Sequence, residues 1–443
     1  MTKNSKIGIG VFILLCLVLV AWFLRAPASS QPGASSANVG AHAVRPPTVA
    51  VSSTSTTDSD VKTNTPSSLV SSLAPATVSH QLKLANGKTL NLKLPPGYSI
   101  AVAAQGYKHL RFMSESPDQR LFVGEMFSAD DSSKGNVYIF DSFDAKTNTF
   151  KKVSTYLSNL RNPNSLAFYT DPSGQEWIYI AETDKLIRYK YTPGDATPHS
   201  APETIAIFPD YGRDWNHGGW HLTRTVVLHN STLYVSVGSS CNSCEEKSSE
   251  PQRGTILSMN PDGSDAHIVA KGLRNAVGIL FGDDGALYAT ENGPDHLGDN
   301  KPNDTFFKIK DGTNYGWPYC NQAGETMELD TSTAWLHPLD CSTIPLATFA
   351  FDSHTAPLGF TEYEGNFLVA LHGSGNKKIG NGYKVVSLSP DPQTGKLVGA
   401  DFLSNFLVNG VVTGRPVDLL VEDSETMYVT DDFNGAIYVI RKN

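Results

Sequence analysis

The sequence contains no cluster of Lys and Arg beyond its first residues, and 44 acidic side chains outnumber its 35 basic ones, for a net charge of −9. Proteins that gather nucleic-acid phosphates depend on a positive field, which this composition does not supply. We therefore expect neither DNA nor RNA as a partner. With 40% hydrophobic and 18% charged residues, the chain has the composition of a protein with an ordinary soluble core.

The composition also disfavours long helices. The chain contains 37 Gly and 26 Pro, which favour turns, together with 17 Tyr and 20 Phe, which favour strands. The sequence therefore predicts an all-β protein and not a helical bundle.

Charge is absent from residues 7–24, which are mostly Ile, Leu, Val, Phe and Gly. At about 1.5 Å per residue, a helix of this length just spans a hydrocarbon layer of roughly 30 Å. Two lysines lie in residues 1–6 and only Arg25 follows, so we expect the N-terminus in the cytoplasm. The apolar run is longer than a usual signal-peptide core, which favours an uncleaved single-pass anchor. Cleavage near Ala26-Pro27-Ala28 remains the alternative.

Aromatic residues are almost absent from the following segment, residues 25–80, which is rich in Ser, Thr, Ala and Pro. Such a segment cannot bury enough apolar surface to offset its ordering entropy, so it is predicted to be a disordered linker. Residues 81–443 then form the folded domain, which we expect to face the periplasm from the inner membrane, or to be secreted there if the signal is cleaved.

Only five cysteines occur, and Cys16 lies in the apolar run. The other four are an even number in a segment expected to be exported, which favours disulfides. The simplest pairing joins Cys241 to Cys244 and Cys320 to Cys341. The Cys-x-x-Cys pair could instead be redox-active or half of a zinc site, although no second ligand pair at zinc-finger spacing accompanies it.

One pattern of short strands recurs from about residue 100 onward. Each copy centres on a strand with an aliphatic or aromatic core, and these cores are Leu121-Phe122-Val123, Ile178-Tyr179-Ile180, Leu233-Tyr234-Val235, Leu287-Tyr288-Ala289, Phe367-Leu368-Val369 and Met427-Tyr428-Val429. A unit of about fifty-five residues in six copies is typical of a six-bladed β-propeller. A pair of β-sandwiches would not explain six copies of one pattern.

The interval between the fourth and fifth copies is longer than the others. The excess lies between Asn314 and Pro345 and contains Cys320 and Cys341. We expect a loop over one face of the propeller, stapled by a disulfide because it lacks a core of its own.

Polar and basic residues precede the first strand of successive copies. Because first strands of a propeller converge on its axis, these clusters should meet at one mouth. The segments are 216–225, 272–278 with 290–299, 353–359 and 414–417.

Taken together, these motifs resemble the soluble glucose and L-sorbosone dehydrogenase family, quinoproteins that use pyrroloquinoline quinone (PQQ) and calcium on a six-bladed propeller. The resemblance covers the chain from about Leu94 to its end and is closer to the sorbosone branch. The matching motifs are His221-x-Thr-Arg-Thr, Val237-Gly238-Ser239-Ser240-Cys241-Asn242, Gly272-Leu273-Arg274-Asn275, Glu291-Asn292-Gly293-x-Asp295, Tyr315-Gly316-Trp317-Pro318, Pro357-Leu358-Gly359, His372-Gly373-Ser374 and Gly414-Arg415-Pro416-Val417.

The resemblance places the catalytic base on His221, with His217 as the runner-up four residues earlier. Oxidation of an alcohol or lactol by hydride transfer needs a group that takes the hydroxyl proton, and neutral imidazole suits this role near pH 7. Arg274 would stabilise charge that develops on the quinone oxygen.

The same resemblance implies the cofactor contacts. Arg274, Asn275 and Arg415 match residues that hold the quinone, whose three carboxylates suit arginine. Calcium is implied at the backbone carbonyls of Gly293 and Pro294, with Asp295 beside them, since oxygen ligands suit this hard cation.

Three further residues, His354, Thr355 and His372, match positions where the family closes its pocket. One departure concerns the glucose enzyme's cofactor-binding lysine: Lys377 and Lys378 are displaced from that position. The acidic stretch of residues 295–304 is either a solvated turn, a second calcium site or a support for the cofactor calcium.

Three functions compete at this level. The leading hypothesis is a PQQ- and calcium-dependent dehydrogenase of sugars or polyol-derived compounds, which passes electrons to an acceptor such as a cytochrome or quinone. The second is a non-catalytic propeller that binds carbohydrate or protein, although it would not need Arg274, Asn275 and Arg415. The third is a calcium-dependent lactonase, whose chemistry needs carboxylates and amides converging on one metal.

Overall fold

The computed structural model describes residues 76–210, 219–337, 339–375 and 379–443. The predicted anchor of residues 7–24 and nearly all of the predicted linker lie outside these residues. Within the described ranges, no helix has the length and apolar character needed to cross a bilayer. Within the described residues the first strand begins at Val78, and the predicted folded domain begins at residue 81.

Six sheets of four or five strands form the six-bladed β-propeller. Their strands, from the axis outward, are as follows: blade 1, β4 His109–Glu115, β5 Leu121–Met126, β6 Gly135–Asp144 and β7 Thr149–Leu160; blade 2, β8 Ser165–Thr170, β9 Glu176–Ala181, β10 Lys185–Tyr191 and β11 Glu203–Ile207; blade 3, β12 Arg224–His229, β13 Thr232–Val237, β14 Thr255–Met259, β15 His267–Lys271 and β19 Thr313–Asn314; blade 4, β16 Ala276–Phe281, β17 Leu287–Glu291, β18 Thr305–Lys308 and β22 Phe349–Ala350; blade 5, β23 Pro357–Tyr363, β24 Asn366–Leu371, β25 Lys384–Pro390 and β26 Leu397–Leu403; blade 6, β29 Pro416–Val421, β30 Thr426–Asp431, β31 Ala436–Lys442 and β3 Tyr98–Gln105. The predicted all-β class and blade number are confirmed.

Apolar side chains occupy both faces of the second strand in each blade, because each blade packs between two others. All six residues of β5 and all six of β30 are buried. A separate apolar cluster fills each space between blades, such as the one that joins Phe122 and Val137 of blade 1 to Ile178 of blade 2. The recurring aliphatic and aromatic cores of the sequence are therefore the layers that hold neighbouring blades together.

The first strand of each blade lies nearest the axis, and these six strands contact one another in a closed ring. Their inner edges have no ladder partner, so polar side chains satisfy the buried backbone groups instead. Four such hydrogen bonds between neighbouring blades are Val226 N to Ser165 Oγ at 2.7 Å, Thr225 Oγ1 to Val277 O at 2.5 Å, Thr290 Oγ1 to Leu358 O at 2.8 Å and Met113 N to Asp418 Oδ2 at 2.9 Å.

Blade 6 is completed by the beginning of the domain. Strand β3 pairs antiparallel with β31, and Tyr98 lies opposite Lys442. The first and last parts of the folded chain therefore close the ring with backbone hydrogen bonds.

The remaining elements are three hairpins and one 3-10 turn. They are β1 Val78–Lys83 with β2 Thr89–Leu94, β20 Cys320–Ala323 with β21 Thr326–Leu329, β27 Leu407–Val408 with β28 Val411–Val412, and the turn Cys341–Thr343.

The insertion between the fourth and fifth repeats differs from the expected coreless loop. It contains the β20–β21 hairpin, and Cys320, Cys341 and Ile344 form a buried cluster with Met327 packed against it. The expectation that the disulfide substitutes for a core was wrong, because the disulfide is itself part of a small core.

Replacement of Phe122 by Ala should lower the free energy of unfolding by about 3–5 kcal/mol, as expected for a fully buried aromatic side chain. Its ring is inaccessible to solvent and lies 5.1 Å from the rings of Tyr156 and Phe168. Chemical denaturation measures the change. Phe127→Ala in the same blade is the control, since Phe127 is 40% exposed and should cost less than about 1 kcal/mol. Equal losses in the two variants would contradict this view of the interblade core.

Candidate functional site

A cavity of about 510 Å³ opens where the first strands of blades 3, 4 and 5 begin. Its lining is polar and includes two histidines, one arginine and three aspartates. The lining residues are Trp220, His221, Arg274, Asn292, Gly293, Asp295, Gly298, Asp299, Asp304, His354, Ala356, Ser374, Gly375 and Ile379. Residues from three of the predicted polar clusters, those of blades 3, 4 and 5, therefore line one cavity, whereas the cluster of residues 414–417 in blade 6 contributes none of the lining.

His221 lies in the cavity wall just before β12, with a left-handed backbone angle φ of 49°. Its Nδ1 is 3.0 Å from both the carbonyl oxygen and the Oγ of Ser239. The Ser239 hydroxyl donates its own hydrogen to Cys241 O at 2.8 Å, so both serine oxygens can only accept from the ring. Nδ1 therefore carries the proton and Nε2 keeps its lone pair, the arrangement that a base requires.

The imidazole of His221 stays neutral at ordinary pH. Burial, followed by the positive charge of Arg274, holds its pKa well below 6.5. Gly238 makes this position possible, because a Cβ there would lie 2.5 Å from His221 Cβ and 2.8 Å from Asn275 Oδ1. The sequence motif Val237-Gly238-Ser239 thus provides both space for His221 and its hydrogen-bond partner.

Arg274 is buried and held in one orientation by hydrogen bonds from most of its guanidinium. Nε donates to Asn242 O at 3.0 Å, Nη2 to Asn242 Oδ1 at 2.9 Å and Nη1 to Asn292 O at 3.1 Å. Nη2 also lies 3.3 Å from Asp295 Oδ2. Among the described contacts one N–H of Nη1 has no protein acceptor, and it can serve a ligand on the cavity side.

Glu291 fixes the backbone that precedes β16. Its carboxylate accepts from Arg274 N at 2.5 Å and from Asn275 N at 3.1 Å. Burial raises the pKa of Glu291 to about 8 despite these donors. Asn275 does not line the cavity, but its amide lies beside Gly238, directly behind His221.

Asp304 differs from the other carboxylates of the acidic stretch 295–304 because it is buried. Its carboxylate accepts from Gly293 N at 2.7 Å, Ala356 N at 2.8 Å and Thr355 Oγ1 at 3.1 Å. Burial raises its pKa to about 6. Asp299 is exposed, so the stretch divides into a solvated turn and one buried carboxylate that ties blade 4 to blade 5 beside the cavity.

His354 and Thr355 lie on the blade 5 side. His354 lines the cavity with Nε2 2.8 Å from Gly298 O and Nδ1 3.4 Å from Asp295 Oδ1. Thr355 is buried behind it and does not line the cavity. Of these two residues His354 lines the cavity, whereas Thr355 donates to the buried Asp304 that also holds the Ala356 backbone.

His372 and Arg415 form a second cluster next to the cavity. His372 Nε2 lies 2.9 Å from Asp432, which also pairs with Arg111 at 3.2 Å. Burial lowers the pKa of His372. Burial opposes ionisation of Asp432 as well, but His372, Arg111 and Arg415 outweigh it and lower that pKa to about 2.

Arg415 donates from Nε to His372 O at 3.1 Å and from Nη2 to Gly373 O at 2.6 Å. Neither it nor His372 lines the cavity, but the next residue along, Ser374, does. The structure thus places these two predicted cofactor residues next to the cavity lining, where each remains partly exposed.

The residues present fit a hard cation and an anionic ligand. Asn292 Oδ1 is a buried oxygen that accepts no hydrogen bond in the described structure, and it lies on the cavity wall next to Gly293. A side chain at Gly293 would approach Pro302 Cγ to 2.8 Å, so the backbone must do any binding there. Asn292 was not among the predicted ligands, because the sequence does not reveal that its side-chain oxygen is buried without a hydrogen-bond donor.

Both predicted disulfides are present, Cys241–Cys244 and Cys320–Cys341, with Cα–Cα distances of 6.1 and 5.6 Å. Glu246 lies close enough to the first pair to complete a metal-ligand group. Because the two sulfurs are bonded to each other, the pair does not provide the thiolates of a zinc site.

The cavity collects His221, Arg274, Gly293, Asp295 and His354 of the predicted set, and their roles stay predictions. Pro294 is buried beside them, while His217, Lys377 and Lys378 lie outside the described residues. Three contributing residues were missed, Ser239, Asn242 and Asn292, although all three lie inside motifs already noted. Asp304 belongs to the acidic stretch that the sequence singled out.

A family model described as TrAA12-like matches residues 92–443. A pyrroloquinoline quinone-dependent pyranose dehydrogenase of Coprinopsis cinerea is 26% identical over 337 residues, which cover 61% of this chain and 45% of that protein. The chain thus matches less than half the length of this relative.

Two solved structures have a similar fold. The holo form of the pyranose dehydrogenase PQQ domain from C. cinerea has a TM-score of 0.64 and 21% identity, and the match covers 80% of this chain and 97% of that one. A calcium structure of the family AA12 protein from Trichoderma reesei has a TM-score of 0.64 and 17% identity, over 84% and 98% of the two chains.

Imidazole ¹⁵N and ¹H resonances test the protonation of His221. We expect a neutral ring with its proton on Nδ1 that does not titrate between pH 7.5 and 6, and His221→Gln identifies the signals. Since unfolded histidine binds a proton with a pKa of about 6.5 and the folded ring does not, the free energy of unfolding should fall as the pH drops below that value. His221→Gln should reduce this fall. An Nε2–H tautomer or an ordinary titration would contradict the assignment.

Proposed function

This chain belongs to the TrAA12-like family, and from that premise we propose that it is a PQQ- and calcium-dependent dehydrogenase that oxidises an aldose or a related sugar. One observation carries the proposal: the neutral His221 keeps Nε2 as an acceptor in a cavity that also holds the buried cation Arg274. The names of the relatives support a sugar as the substrate class and PQQ as the cofactor.

The two groups have complementary tasks. His221 Nε2 accepts the proton of the substrate hydroxyl, and Ser239 keeps the proton on Nδ1 so that Nε2 stays available. Arg274 presents positive charge where negative charge develops, and its fixed hydrogen bonds mean that it needs no reorganisation during the reaction. When bound, PQQ supplies the two-electron acceptor for the hydride that leaves the sugar carbon.

The cofactor would be held at the same wall. The remaining Nη1–H of Arg274 suits one of the carboxylates of PQQ, and Arg415 would place a second positive charge beside the cavity near Ser374. Calcium would bind the carbonyls of Gly293 and Pro294 together with Asn292 Oδ1. Asp304 holds the Gly293 backbone in place for this purpose.

The cellular setting is part of the proposal. The apolar segment 7–24 would anchor the protein in the inner membrane, with the propeller in the periplasm or released there after cleavage. Electrons would then pass to a separate acceptor, a cytochrome or a quinone. This setting agrees with the two disulfides, which persist in an oxidising compartment.

Binding of PQQ to the purified protein should require Ca²⁺, because the carbonyl and amide oxygens of this wall repel the carboxylates of the cofactor unless a cation lies between them, and the one remaining N–H of Arg274 does not replace that cation. Calorimetric titration with PQQ, in excess Ca²⁺ and in chelator, measures the difference. Uptake only with Ca²⁺ supports the proposal. No uptake in either condition would favour a binding propeller without redox activity.

Measurements of turnover and of PQQ binding should distinguish the roles of His221 and Arg274. With an artificial electron acceptor and a panel of aldoses, His221→Ala should lower kcat by about 10²–10⁴-fold while PQQ binding persists. Arg274→Ala should weaken both, since it removes a charged contact from the bound state. If His221→Ala turns over at the wild-type rate while His217→Ala is inactive, the base is His217.

A further inference from the structure

A four-residue turn closed by Cys241–Cys244 contacts Arg274 directly and is linked to His221 through Ser239. We propose that Asn242, held in this turn by the disulfide, is the positioning residue that fixes Arg274 and the start of the 295–299 loop relative to His221. The inference rests on the proposed function for its meaning, but its geometry stands on described contacts alone.

Asn242 uses both of its oxygens as double acceptors. Its carbonyl accepts from Arg274 Nε at 3.0 Å and from Trp317 Nε1 at 3.2 Å. Its side-chain Oδ1 accepts from Arg274 Nη2 at 2.9 Å and from Asp295 N at 3.0 Å. One residue therefore holds the guanidinium at two nitrogens and also holds the backbone that follows the proposed calcium carbonyls.

The same turn reaches the proposed base. Ser239 Oγ donates to Cys241 O, and this bond directs its lone pairs to His221 Nδ1. Ser239 N also donates to Arg274 O at 2.7 Å. The turn thus couples the orientation of the imidazole to that of the guanidinium, two groups brought in by different blades.

Neighbouring residues anchor the turn on both sides. Ser240 N donates to Glu246 Oε1 at 2.6 Å, and Ser243 Oγ donates to Asp330 Oδ2 at 3.0 Å. Asp330 lies in the insertion that the second disulfide crosses. The disulfide between Cys241 and Cys244 encloses Asn242 and Ser243 in a short turn. Asn242 therefore lies between the anchored residues Ser240 and Ser243.

The two disulfides offer a matched comparison. Cys241 and Cys244 are three positions apart, whereas Cys320 and Cys341 are 21 apart. Removing the disulfide that closes the longer loop increases the conformational entropy of the unfolded chain more. Cys320→Ser/Cys341→Ser should therefore lower Tm more, while Cys241→Ser/Cys244→Ser should weaken PQQ binding more.

The decisive variants are Asn242→Leu, which keeps the approximate volume without an acceptor, and Asn242→Asp, which keeps the acceptor oxygen. With Ca²⁺ present, Asn242→Leu should raise the Kd for PQQ about 10–100-fold, the usual effect of a residue that orients ligands, and Asn242→Asp should recover most of this loss. Equal affinities of wild type and Asn242→Leu would overturn the proposal.

A second readout needs no cofactor. The Arg274 Nη2–H resonance, assigned with Arg274→Lys, should be protected from exchange in the wild type and in Asn242→Asp but exchange rapidly in Asn242→Leu, because Nη2 donates to the side-chain Oδ1, whereas Nε donates to the backbone carbonyl that every variant keeps. Protection in Asn242→Leu would overturn the positioning role. If the wild type shows this protection but binds no PQQ, the positioning stands and the proposed function fails, so the two failures are distinguishable.

Discussion

The inner edges of the six blades impose the constraint on which the rest of the structure depends. A strand nearest the axis has backbone groups that no neighbouring strand can pair, and they are buried. Hydroxyls of Ser165, Thr225 and Thr290 and the carboxylate of Asp418 satisfy them across blade boundaries. Burial raises the pKa of Asp418 to about 7 despite its hydrogen bond from Met113 N. These bonds fix each blade relative to its neighbours. The segments that precede the first strands of blades 3, 4 and 5 therefore line one cavity.

This arrangement explains why the mouth could be predicted from the sequence. Strand periodicity gave the blade number, and the position of His221 or Arg274 before a first strand was enough to bring both residues to the cavity. An even number of cysteines in a segment expected to be exported favoured disulfides, and the simplest pairing of the four is the one observed. Each of these inferences uses order along the chain, which a propeller translates directly into position around its axis.

The support around these side chains could not be predicted in the same way. The three bonds of Asp304 reach Gly293, Thr355 and Ala356 across two blades, and nothing in its local sequence separates a buried carboxylate from a solvated one. His372 and Arg415 lie next to the cavity lining, where Asp432 and backbone carbonyls hold their side chains. The repeat pattern predicts which residues lie near the axis, but it does not predict how deeply each side chain is buried there.

The pairing of β3 with β31 has a consequence for how the molecule is made. The contact between Tyr98 and Lys442 spans nearly the whole folded chain, and closing so large a loop is entropically expensive and slow. Five blades have all their strands before β31 is synthesised, but β3 has no partner until residues 436–442 arrive. The ring can therefore close only after these residues leave the ribosome, and until then the edge of β3 that pairs with β31 stays unpaired.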